Sequence, residues 1–141
     1  MNTAYTLGRI LLPILFIWLG VQNILNADDL ARTLAGYVSL PADIEPYLGG
    51  LSRYVALAYL VGAVEVVCAA MVLVGLKARW AALVLIVYAA STVIFTHNFW
   101  EMEGAAAASN RLQALMYLSV IGGLLLVVAC GSGPSALDRR A

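Results

Sequence analysis

The sequence predicts an all-α integral membrane protein, a four-helix bundle with a short interfacial helix in its first outer loop. Composition is the first observation. Of 141 residues, 63% are hydrophobic and only 11% charged, with a mean hydropathy of +0.92. Soluble domains sit near half apolar and about a quarter charged. The second observation is four long apolar segments, each close to the roughly 20 residues that a helix needs to cross about 30 Å of hydrocarbon. The third is environmental: lipid offers the backbone no partners, so spanning segments of this kind are helices and not isolated strands.

The four segments run over about 7–25, 54–76, 80–99 and 112–131, within one transmembrane domain covering 1–141. The first, "LGRILLPILFIWLGVQNIL", has Arg9 ahead of its apolar run and "LNA" after it, as a signal peptide does. Leu25 is large for the third position before a cut, and Gln22 and Asn23 suit a bundle interior, so an uncleaved helix is expected. Pro13 is expected to kink it. Asp28 and Asp29 are placed to cap a short helix whose Leu30, Leu34 and Tyr37 share one side, laid over the outer surface as a lid. Pro41, Pro46 and the Gly49–Gly50 pair end it. "GLKAR" joins the second and third spans as a tight hairpin, and Gly122–Gly123 marks close packing on the fourth.

Basic residues give the direction. With both termini in the cytoplasm, Arg9, Lys77, Arg79, Arg139 and Arg140 lie inside, while Arg32, Arg53 and Arg111 lie outside. That is the positive-inside bias, and the expected topology is N-in, C-in. A formal net charge of zero leaves no basic footprint for nucleic acid. Cys68 and Cys130 sit in separate apolar runs without metal spacing, so no metal site is expected. A single histidine, His97, rules out a haem held by two histidines of this chain.

One charge interrupts the second span. Glu65 lies near its middle, roughly 16 Å from either end at helical rise. An acid at that depth costs a few kcal/mol or more unless it is neutral and hydrogen-bonded. Ala58, Gly62, Glu65 and Ala69 are spaced four, three and four, so they share a face on which a neighbouring helix can close in. Counting the same depth along the other spans offers Trp18, Tyr88 or Ser91, and Ser119 as partners. Glu65 reads either as a polar fastener between helices or as a group that handles protons or a ligand.

A second polar cluster is expected nearer the outer surface. His97 and Asn98 precede Phe99 and Trp100, with Gln22 and Asn23 on the first span and Arg111 and Gln113 at the start of the fourth. His97 and Glu65 differ in depth by about 10–12 Å, a gap that water or a flat ligand head group would bridge. The candidate proton- or ligand-binding residues are therefore Glu65, His97, Asn98, Gln22, Asn23 and Arg111.

Four stretches in order, "GRILLPILFIWLGVQN", "VGAVEVVCAAMVLVGLKARWAALVL", "FTHNFW" and "IGGLLLVVACGSGPSALD", resemble the DoxX family of small four-helix bacterial membrane proteins. Gly8, Arg9, Phe16, Gly20, Glu65, Gly75 and Arg79 fall at its familiar positions. The resemblance implies an inner-membrane protein supporting quinone-linked oxidoreduction, since a related protein is a subunit of a thiosulfate:quinone oxidoreductase. It implies no covalently bound cofactor, with a quinone and a soluble or membrane redox subunit as partners; a second copy of the chain stays open. Lys is common where this chain has Asn23, and Lys-Asn where it has Met116 and Tyr117. Those departures favour a neutral, quinone-like ligand or a purely structural role over the binding of an anion. The alternative reading is a non-catalytic membrane scaffold for soluble redox enzymes. A small proton-coupled carrier is disfavoured, because no inverted repeat is visible.

Overall fold

The structure is a computed structural model that describes residues 2–96 and 103–133. Its helices are α1 (Asn2–Leu25), α2 (Ala27–Tyr37), α3 (Arg53–Val74), α4 (Ala78–Phe95) and α5 (Gly104–Cys130), with a 3₁₀ turn over Ala42–Tyr47. Four of them, α1, α3, α4 and α5, are long and apolar enough to cross a membrane. Large apolar side chains such as Leu11, Trp18, Leu60, Val87 and Leu126 stand exposed around the bundle, where lipid replaces water as their solvent.

The closest packing is between α1 and α3, and it follows from two glycines. A Cβ on Gly20 would fall 3.0 Å from the carbonyl oxygen of Gly62, and a Cβ on Gly62 the same distance from the carbonyl oxygen of Gly20. Backbones this near are possible only without side chains at both sites. The buried face of α3 is the small-residue stripe with the acid in it: Ala58, Gly62, Glu65, Ala69 and Val72. On α4 the buried residues are Ala78, Ala81, Ala82, Leu85 and Ala89, again small and helically spaced. Phe16, Leu85, Leu124 and Val127 fill the space these alanines leave between α1, α4 and α5.

α2 does not begin at the aspartates. Asn26 is its N-cap residue, and Asp28 and Asp29 occupy the first turn, where acids offset the helix dipole. The expected lid is docked on the first turns of α3: Ala27 and Ala31 pack against Ala58, with Leu30, Leu34, Tyr54 and Val55 around them. Its last residue, Tyr37, reaches α4, with ring centroids 5.4 Å from Phe95. Ser52 caps α3, its side chain accepting from the Val55 amide at 3.4 Å.

The α3–α4 connection is as tight as its sequence indicates. Gly75 takes the left-handed conformation at φ 77°, and the Leu76 amide bonds Met71 O across the helix end. α5 starts at Gly104, well before the expected 112, because the "GAAAASN" run is helical. α1 continues through Pro13, which is buried. Gly123 packs on Leu12 of α1, whereas nothing lies near a Cβ built on Gly122.

Gly62→Ala should therefore lower the melting temperature of the purified protein, at a cost of about 1–3 kcal/mol for forcing two backbones apart. Gly122→Ala should leave it unchanged or raise it slightly, by up to ~1 kcal/mol of helix propensity. Equal melting of the two variants would contradict the α1–α3 contact described.

Candidate functional site

Glu65 projects from the buried stripe of α3 and is 1% exposed. Because Gly20 meets Gly62 and Val66, the next turn of α1 brings Asn23 to the level of the acid. The Asn23 amide nitrogen donates to Glu65 Oε2 at 2.9 Å and to Tyr88 Oη at 3.0 Å. One NH₂ group thus spends its two hydrogens on two helices, α3 and α4. The Tyr88 hydroxyl, accepting from the same amide, lies beside the carboxyl. Tyr117 of α5 stands within electrostatic reach of both Glu65 and Tyr88. Three of the spans, α1, α3 and α4, each contribute one polar side chain to this network.

Phe16 of α1 holds Tyr88 in place edge-on, at 6.4 Å between ring centroids and 69° between planes. No ion pair reaches Glu65 among the described residues, and its Oε1 is buried without a hydrogen-bond partner. A cavity of about 190 Å³ lies against this group, lined by Leu60, Val61, Val64, Val84 and Leu85 together with Glu65 and Tyr88. Leu60, Val64 and Val84 are themselves exposed, so the cavity opens sideways between α3 and α4, toward lipid. Its surface is apolar, with the two polar side chains standing behind it.

The expected partners divide unevenly. Tyr88 is brought to Glu65. Ser91 instead donates to the carbonyls of Val87 and Tyr88, and Ser119 to that of Leu115, so both close bonds within their own helices. Trp18 is 63% exposed and points away from the network.

Asn23, expected in the outer cluster, belongs to the Glu65 site. Counting depth alone misplaces it, because it lies one turn past Gly20, which meets Gly62 and Val66 on either side of the acid, and its side chain reaches across that turn. Gln22 stays apart: its carbonyl and side-chain oxygens accept from Asn26 at the α1–α2 break. Arg111 is exposed on α5. His97 and Asn98 lie outside the described residues. The residues that sequence reasoning missed as a unit are Asn23, Phe16 and Tyr117; the Gly20–Gly62 pairing was the available signal, since it fixes which turn of α1 faces the acid.

Four apolar helices closed around one buried, hydrogen-bonded acid define a small multi-pass membrane protein. The chain belongs to the DoxX family, whose model matches residues 4–98. It is 28% identical to the inner membrane protein YphA of Escherichia coli (strain K12), over 95% of this chain and 87% of that one. It is also 28% identical to the uncharacterized membrane protein Rv3486 of Mycobacterium tuberculosis (strain ATCC 25618 / H37Rv), over 94% and 77%. No solved structure matches it. With the four candidate spans, these relatives make it a multi-pass protein of the bacterial inner membrane.

Asn23→Leu should strip Glu65 of its direct donor and leave a buried polar group unpaired, costing about 1–3 kcal/mol of stability. Ser91→Ala, which removes only a bond within α4, should cost less than ~1 kcal/mol. Thermal unfolding of both variants in one detergent ranks them, and an equal or reversed ranking would contradict the network.

Proposed function

We propose that the protein is the membrane component of a quinone-linked oxidoreductase and takes the quinone head group from the bilayer between α3 and α4. The observation that carries this reading is the orphaned Glu65 Oε1 beside a lateral apolar cavity. A buried acceptor with no partner in the protein favours a ligand that brings one. An apolar cavity of about 150 Å³ accommodates benzene, so 190 Å³ suits a single substituted ring. Such a ligand dissolves in lipid, and its tail would remain among the tails outside Leu60 and Val64. Membership of a family linked to oxidoreduction supports the same reading.

A quinone supplies two-electron, two-proton chemistry when bound. The residues here would bind and orient it and hold a proton at one atom. A protonated Glu65 presents an O–H to a ring carbonyl, while Asn23 fixes the other carboxyl oxygen. Tyr88 lines the same wall, with its hydroxyl held by Asn23 behind the apolar surface. Leu60, Val64, Val84 and Leu85 exclude water. The reducing equivalents belong to a partner protein. His97, expected to lead protons toward Glu65, remains part of the proposal as the outer end of that path.

The test is binding of a short-tailed ubiquinone analogue to the full chain in nanodiscs, measured by equilibrium partition and native mass spectrometry. Glu65→Gln should weaken binding about tenfold, the equivalent of roughly 1.4 kcal/mol. Val64→Trp, which fills the opening, should abolish it, while Trp18→Ala on the far face of α1 should leave it unchanged. Undiminished binding in both Glu65→Gln and Val64→Trp would sink the site. Absence of binding in the wild type, with soluble redox enzymes still co-purifying with Glu65→Gln, would favour the scaffold reading instead.

A further inference from the structure

The opposite end of the bundle holds a buried cation with no counter-charge among the described residues. Arg9 is 3% exposed, and its Nε and Nη1 are buried without hydrogen-bond partners. Stepping eleven residues from the Gly20–Gly62 contact takes α1 back to Arg9 and α3 forward to Leu73 in its last turn, so the guanidinium sits at the end of the helices. The α3–α4 hairpin and the end of α5 meet there. Tyr5 donates its hydroxyl to the carbonyl of Gly131, and Arg79 lies against Gly131 with Nη2 3.5 Å from Ala129 O. The Tyr5 hydroxyl is within electrostatic reach of both Arg9 and Arg79. Among the described residues this end carries Arg9, Lys77 and Arg79 and no acid, since Asp28, Asp29, Asp43, Glu45, Glu65 and Glu103 all lie in the outer connections or the middle of the bundle.

A buried guanidinium with two unmet nitrogens is costly, and an anion that accepts from them offsets part of that cost. The planar fork of an arginine matches the oxygens of a phosphate. At the ends of transmembrane helices the abundant anions are lipid phosphates, and the leaflet facing the cytoplasm is the anionic one in the orientation expected from the basic residues. We infer that Arg9, with Arg79 and Tyr5 beside it, forms a binding site for a phosphate-bearing anion at the end of the bundle where α1, the α3–α4 hairpin and α5 converge. The site is separate from the Glu65 cavity and does not depend on any redox role.

The experiment is thermal unfolding and native mass spectrometry of the full chain in nanodiscs of phosphatidylcholine alone, or with a third of the lipid replaced by phosphatidylglycerol. The wild type should melt higher with phosphatidylglycerol and retain it on release from the disc. Arg9→Gln should lose most of that retention, about tenfold, with Arg9→Lys intermediate and Arg79→Gln weaker than wild type. If inorganic phosphate raises the melting temperature in pure phosphatidylcholine and Arg9→Gln removes the effect, the ligand is a free phosphate and the site still stands. Should Arg9→Gln fail to fold, Arg9→Lys and Arg79→Gln decide the question. Equal retention and equal melting across wild type and the folded variants, with no response to phosphate, overturns the site. So does an Asp138→Asn variant that lowers melting as much as Arg9→Gln without adding to it, because the chain's own carboxylate would then be the counter-charge.

Discussion

A carboxyl placed in the middle of a transmembrane helix must find its hydrogen bonds from other helices, and that requirement organises this bundle. Lipid supplies no donors, and no cation of the described chain reaches Glu65. The donor comes from Asn23, which arrives only because Gly20 and Gly62 let α1 and α3 touch backbone to backbone. Tyr88 completes the contact from α4, braced by Phe16. A larger residue at either glycine would separate Asn23 from the acid as surely as removing the amide. Stability and site geometry are therefore one constraint, carried by the α1–α3 crossing.

The same economy explains why the network leaves one oxygen unmet. An asparagine amide has two hydrogens, and here one goes to Glu65 Oε2 and the other to Tyr88. Hydroxyls that stand at comparable depth, Ser91 and Ser119, are committed to carbonyls of their own helices, which satisfies them at no cost in tertiary geometry. Oε1 remains without a partner among the described residues, on a side chain that lines the opening to lipid. At the other end, Arg9 repeats the pattern with the opposite sign: its buried Nε and Nη1 have no acceptor among the described residues. At both places a buried polar atom lacks a partner among the described residues.

Much of this was legible in the residues. Four apolar runs, the midplane depth of Glu65 and the buried stripe of Ala58, Gly62, Glu65 and Ala69 follow from helical rise and spacing, which depend on nothing beyond the chain. Tyr88 was within reach of the same counting. Asn23 was not, because its side chain reaches the acid across a turn, and that reach depends on the Gly20–Gly62 contact rather than on depth. Trp18 and Ser119 failed for a rotational reason: equal depth says nothing about which side of a helix faces inward.

Sequence by itself determined that the chain spans a membrane four times, that one acid is trapped at its centre and which face of α3 is buried. Tertiary structure decided which neighbours satisfy that acid, where the cavity opens and that Arg9 is sealed inside the bundle's end. The division has a physical cause. Hydrophobicity and helical period are properties of the segment alone, but in lipid both sides of a helix are apolar, so pattern cannot tell the packed side from the exposed one. That choice is made by close contact between particular small residues, Gly20 and Gly62 above all, and contact exists only once the helices are assembled.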